Sequence, residues 1–200
     1  MSKASWLHQR AQDTFFHKAK EEGWRSRAAY KLLALDEGGR LLPPGSKVVD
    51  AGAAPGSWSQ VAARRVGPKG KVVAVDLLPI VPIPGVEVIQ GDFTQKEVQE
   101  KILERFNGSA DVLLADLAPN LSGNRLVDEA KSSVLVEAVL EFASCHLQPG
   151  GRFVVKFFEG ANALCLLRQA RNLFEKVKVI KPEASRRESR EKYMSGEVKK

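Results

Sequence analysis

The stretch from Val48 to Gln60, Val-Val-Asp-Ala-Gly-Ala-Ala-Pro-Gly-Ser-Trp-Ser-Gln, constrains the fold more than any other part of the chain. A β-branched run ends in a carboxylate, meets a loop of Gly, Ala and Pro, and leads into a helix. Ser57 and Gln60 have the S-x-x-Q spacing of a capping box, which predicts a helix beginning at Ser57. The small residues Gly52 and Gly56 let a ligand approach the backbone closely, and the free N–H groups of a helix start bind polar ligand atoms. Trp58 fits two roles, a support for the loop or a core residue.

Downstream, strand-like and helix-like segments alternate. Strands are expected at 47–51, 71–76, 86–90, 111–116, 152–158, 176–181 and 192–195. Helices are expected at 14–22, from a Ser26 cap to Leu35, at 57–66, after a second capping box (Thr94-Gln95-Lys96-Glu97), in a long run ending near His146, and at 161–174. This order predicts an α/β fold, a mostly parallel doubly wound sheet with an antiparallel final strand. Ligands of such sheets bind outside the carboxyl ends of the strands. Asp50, Asp76 and Asp116 close strands and Asp92 lies just beyond one, so four carboxylates are expected along one edge beside the glycine loop.

A dinucleotide requires G-x-G-x-x-G, and Gly52-Ala53-Ala54-Pro55-Gly56 lacks it. Carboxylates around a small loop suit a ligand with ribose hydroxyls, an amino group and a positive centre. S-adenosylmethionine has all three, and its sulfonium gains from nearby negative charge. Asp76 has the position expected to hold ribose hydroxyls, and Asp92-Phe93 is placed to read and pack against adenine. Lys156 stands out in the apolar strand Phe153-Val154-Val155-Lys156-Phe157-Phe158. A buried ammonium needs a partner, and Asp116 on a neighbouring strand is the candidate.

Charge separates the ends from the middle. Of a net charge of +7, residues 1–31 carry seven Lys/Arg against three acids, and residues 176–200 carry nine against four, leaving the centre slightly acidic. If the ends meet, they form one basic surface suited to a phosphate backbone. The chain's 200 residues suit one domain, 1–200, with residues 1–40 as a basic helical extension packed on it. No apolar run approaches the roughly 20 residues of a membrane span, and the start lacks a secretory apolar core. Cys145 and Cys165 show no metal spacing and are expected as small buried hydrophobes in a reducing cytoplasm. No metal is expected.

Across these motifs the chain resembles the FtsJ/RrmJ family of large-subunit ribosomal RNA ribose 2′-O-methyltransferases. The matching stretches are Arg25-Ser26-Arg27-Ala28-Ala29-Tyr30-Lys31-Leu32, Asp50 to Gln60, Asp76-Leu77-Leu78-Pro79 and Gln90-Gly91-Asp92-Phe93. Asp116-Leu117-Ala118-Pro119-Asn120 with Ser122-Gly123, Phe153 to Lys156, and Lys181-Pro182 through Ser189-Arg190-Glu191 continue them in the family's order. The resemblance implies a catalytic tetrad of Lys31, Asp116, Lys156 and Glu191, and cofactor contacts from Gly56, Trp58, Asp76, Asp92 and Asp116. It implies methylation of a ribose, that of a uridine, in large-subunit ribosomal RNA, by a monomer acting within the large subunit. Ser57 stands where a second Gly is common, Ala51 replaces a common Leu, and Glu188 replaces a basic residue. The tetrad does not choose between ribosomal RNA, tRNA and an mRNA cap, and a non-catalytic RNA-binding relative is the reading from another class. Arg25, Arg27, Lys31, Arg186, Arg187 and Arg190 are the candidates for RNA phosphate contacts.

Overall fold

A computed structural model describes residues 14–120, 122–160, 162–186 and 189–200. Two short helices, α1 (Thr14–Glu21) and α2 (Ala28–Leu35), precede β1 (Lys47–Ala51) and α3 (Ser57–Val66). There follow β2 (Lys71–Asp76), β3 (Val86–Gln90), α4 (Lys96–Phe106), β4 (Ala110–Ala115) and α5 (Arg125–His146). The chain continues through β5 (Leu147–Phe158), α6 (Ala163–Leu173), β6 (Phe174–Ile180) and β7 (Glu191–Lys199).

Among the described residues the strands form one sheet of order β3-β2-β1-β4-β5-β7-β6. Neighbours from β3 to β5 are parallel, and β7 runs antiparallel to both β5 and β6. The central strands are Val-, Leu- and Ala-rich because both of their faces are covered. Val49, Val73, Leu113 and Phe153 pack on one face with Ile102 of α4, Phe142 of α5 and Leu166 of α6. Val48, Val72, Leu114 and Val154 pack on the other with Leu32 of α2 and Trp58 of α3. Gly196 of β7 lies opposite Phe153, and a Cβ there would fall 2.1 Å from that ring.

Several local expectations change. Neither capping box forms. Gly56, at φ 106°, is the N-cap of α3. Gln60 instead accepts from the Arg25 N–H at 2.9 Å and donates to the Gly23 carbonyl at 3.2 Å, and the Ser57 and Ser26 hydroxyls meet at 2.7 Å. At α4, the Thr94 N–H and hydroxyl both donate to Asp92 Oδ1, leaving Gln95 as an N-cap without a side-chain bond. Partners elsewhere outcompete the local motif in both places. β5 begins at Leu147 rather than Arg152, since the Pro149-Gly150-Gly151 turn is taken into the strand across a register shift opposite β4. Cys145 and Cys165 are exposed, not buried. Phe142 and Ala143 set the inward face of α5, as Leu166 and Ala170 do for α6, and each cysteine falls off that stripe.

The described parts of the two basic ends, from residue 14 onward and from 176 onward, do meet. Ala19, Tyr30 and Ala184 form a small apolar cluster, the Arg27 guanidinium donates to the Ala184 carbonyl, and Lys31 of α2 pairs with Glu191 of β7.

Candidate active site

Parallel strands deliver their carboxyl ends to one edge, and the residues just there build a cavity of about 610 Å³. Gly52 follows β1, Asp76 ends β2, Asp92 follows β3 and Asp116 follows β4; all four line it, with Phe93 and, from α5, Leu135 and Ala138. Gly52 has φ 74°, and a Cβ there would come within 3.0 Å of the Leu117 backbone, so the loops after β1 and β4 touch only because this position is bare. Asp76 organises the floor. Its carboxylate accepts from the Ala54 and Leu78 N–H groups, each at 2.8 Å, and keeps acceptor capacity for a ligand. The Phe93 ring is largely committed to Phe142, 5.1 Å away.

Three expected members of this edge lie elsewhere. Asp50 is fully buried behind the loop, with Oδ2 accepting from the Ser59 hydroxyl at 2.5 Å and Oδ1 without a partner. Its pKa is pushed up to about 7, first by burial, against the Ser59 hydrogen bond and with help from the Asp116 and Asp76 charges. The Trp58 indole points away from the cavity. Its N–H donates to the Ala28 carbonyl at 2.8 Å and its ring packs on Tyr193, so the side chain braces α2 against the sheet. Gly56 is also off the lining, and the space its Cβ would take holds Ile83 Cδ1 at 2.5 Å and Arg25 Nη1 at 2.9 Å.

Next to Asp116, which lines the cavity, sits Lys156, only 8% exposed. Its Nζ lies 3.1 Å from Asp116 Oδ1 and donates to the Asp116 carbonyl at 2.9 Å. The Tyr193 hydroxyl donates to the same Oδ1 at 2.9 Å. Burial, then the neighbouring Asp116 charge, raises the Tyr193 pKa, which keeps the phenol protonated as a donor. Beyond it, Lys31 Nζ is 3.2 Å from Glu191 Oε2 and 5.7 Å from the Tyr193 ring centroid. Burial pushes the Glu191 carboxyl up, but the Lys31 and Lys156 charges outweigh it and hold the pKa below the usual value. Lys31 of α2, Asp116 just after β4, Lys156 of β5 and Glu191 of β7 are thus brought together. Tyr193 was missed by sequence reasoning. The signal was available: two residues past Glu191 on a strand, it shares that residue's face.

A second cavity, of about 390 Å³, opens on the other side of this group and is lined by Ser26, Arg27, Lys31, Arg186, Ser189 and Glu191. Arg190 instead bonds Glu129 Oε1 at 3.1 Å, and Arg187 lies outside the described residues. Arg25 is spent on carbonyl groups, with Nη1 donating to Pro55 and Nη2 to Pro82, each at 2.8 Å.

An acidic, partly apolar cavity at the carboxyl edge of this sheet, with a buried lysine–aspartate pair beside it, is what an α/β methyltransferase dependent on S-adenosylmethionine requires. Residues 24–199 match the family described as FtsJ-like methyltransferase. The chain is 50% identical to ribosomal RNA large subunit methyltransferase E of Azoarcus sp. (strain BH72), over 96% of this chain and 94% of that protein. It is 46% identical to the protein of the same name from Chromobacterium violaceum, over 98% and 96%. Among solved structures it is similar to a ribosomal RNA methyltransferase from Plasmodium falciparum, with TM-score 0.80, 31% identity, and 88% and 98% of the two chains covered. Aeropyrum pernix fibrillarin, solved with natively bound S-adenosyl-L-methionine, shares the fold at TM-score 0.61 and 17% identity, over 84% and 75%. The chain belongs to the FtsJ-like methyltransferase family.

Proposed function

We propose that this methyltransferase modifies the 2′-oxygen of a ribose, that of a uridine, in large-subunit ribosomal RNA. The observation that carries the reading is the buried Lys156–Asp116 pair, whose aspartate lines the acidic cavity and whose lysine charge is felt by Glu191 of the basic one. The names borne by the Azoarcus and Chromobacterium relatives supply the RNA.

The carboxylate-lined cavity fits S-adenosylmethionine. Asp76 holds the ribose hydroxyls, Asp92 and the edge of Phe93 meet the adenine, and the bare backbone at Gly52 receives the methionine portion. Bound there, the cofactor supplies an electrophilic methyl group. The chain's own work is on the acceptor. A ribose hydroxyl is a poor nucleophile while it holds its proton. Lys156 Nζ spends two of its three hydrogen-bonding directions on Asp116 and turns the third to that hydroxyl; as the neutral amine it presents a lone pair there that takes the proton, and as the ammonium it donates to the oxygen and steers the proton away. Asp116, steadied by Tyr193, fixes the lysine. Lys31 and Glu191, paired at the border of the basic cavity, orient the ribose. Arg27 and Arg186 neutralise phosphates beside it. Much of the acceleration comes from alignment of the reacting groups.

The enzyme is taken to act as a monomer. Among the described residues no helix is long and apolar enough to cross a membrane, and the enzyme is taken to work in the cytoplasm on the large subunit. Incubation with methyl-labelled cofactor and separated RNA fractions tests the substrate. Label is expected in large-subunit RNA as 2′-O-methyluridine, from assembled subunits more than from naked RNA. Label confined to tRNA overturns the reading.

A further inference from the structure

Arg25 and Arg27 are two residues apart, yet they serve different sites. Arg27 reaches the Ala184 carbonyl and lines the basic cavity. Arg25 turns the other way and is missing from that lining. Its backbone N–H is held by Gln60 Oε1, and its guanidinium forks between two carbonyls 27 residues apart in sequence, those of Pro55 and Pro82.

Those carbonyls belong to the two loops that frame the acidic cavity. Pro55 directly follows Ala54, whose N–H is fixed by Asp76, and both Ala54 and Asp76 line the cavity. Pro82 ends the segment that leaves Asp76 through Leu78, whose N–H the same carboxylate holds. A closed ring results: Asp76 joins the two loops on the inside, and Arg25 joins them on the outside. Ile80 and Ile83 fill the space between, against Ala53. Gly56 is bare where the guanidinium and Ile83 pass. We infer that Arg25 is a positioning residue of the cofactor site, a strap that holds the loops after β1 and β2 in their binding arrangement, and not an RNA phosphate contact.

The inference rests on S-adenosylmethionine occupying the acidic cavity. A lysine preserves the charge a phosphate wants, but its single ammonium has no planar fork to span two carbonyls. Arg25→Lys therefore separates the two roles, and Arg25→Ala removes both. The measurements on the full chain are S-adenosylmethionine affinity by calorimetry, binding of a large-subunit RNA transcript, and KM against kcat for the cofactor. Both variants are expected to weaken cofactor affinity and raise its KM roughly tenfold, as for loss of a charge-assisted hydrogen bond, with kcat and RNA affinity within about twofold. Wild-type cofactor affinity in Arg25→Lys, with RNA affinity lost in Arg25→Ala, overturns the strap in favour of a phosphate contact. Asp76→Ala is the control. If it loses cofactor affinity and neither Arg25 variant does, the strap fails and the cavity assignment stands. If all three bind as wild type does, the cavity assignment fails with the strap. Should Arg25→Ala not fold, Arg25→Lys carries the decision alone.

Discussion

The two cavities differ in the sign of their charge. The larger is lined by Asp76, Asp92 and Asp116 against one cation, Lys131, with apolar walls, and the smaller by Arg27, Lys31 and Arg186 against one acid, Glu191. One suits a cation with hydroxyls, the other a polyanion. If both reactants entered one site, each would face the other's counter-charges. In the proposed mechanism separation leaves one place where the two meet, at the cluster of Lys156, Asp116, Tyr193, Lys31 and Glu191. Asp116 and Lys31 belong both to these linings and to the cluster around Lys156, so each cavity shares one charge with it.

The largest effect is expected at the border. Lys156→Ala should lower turnover by roughly 10²–10⁴-fold, the usual yield of proton-transfer catalysis, while cofactor affinity stays within about threefold. Near-normal turnover in a methyl-transfer assay removes Lys156 from the chemistry. The next tests the cost of the acidic side. An unfolded aspartate titrates near 3.9, but Asp50 in the folded protein titrates at about 7. Between those values the folded state keeps a proton that the unfolded state has lost, so stability falls as pH rises through the window and levels off above it. A shift of this size corresponds to at most ~4 kcal/mol. Urea unfolding should show wild type weaker at pH 8 than at pH 5, and Asp50→Asn much less sensitive; equal slopes would exonerate Asp50.

Smaller still is Asp76→Ala, which should weaken S-adenosylmethionine binding by about 10- to 100-fold through loss of charge-assisted bonds, with RNA affinity unchanged in a filter assay. The smallest belongs to the basic cavity. Arg186→Ala should weaken RNA binding severalfold for every sequence and reduce the salt slope by about one unit. A matching loss of cofactor affinity would show that the two cavities are not separate.

The sheet was legible in the chain because its strands are β-branched runs closed by aspartates, and a buried parallel sheet imposes that composition. Lys156 was legible for the opposite reason, as one ammonium in an apolar strand. Arg25 was not. Its partners are backbone carbonyls 30 and 57 residues away, and a carbonyl carries no residue-type signature. Trp58 was ambiguous from the start, and packing against Ala28 and Tyr193 settled the side chain as a brace. Asp50 looked like its three counterparts, but it is the next-to-last residue of its strand and its side chain turns under α3 toward Ser59.

Gly196 is the hinge pin of a lever. β7 carries Glu191 and Tyr193 at its head, and five residues along, at roughly 3.3 Å each, Gly196 lies against Phe153 with no room for a methyl group. Any side chain there pushes β7 off β5, and the displacement travels down a stiff strand to the end that aims at Lys31 and Asp116. A hydrogen atom roughly 10 Å from the Lys156–Tyr193 pair, three residues along at that spacing, thereby sets the bearing of the acid and the phenol.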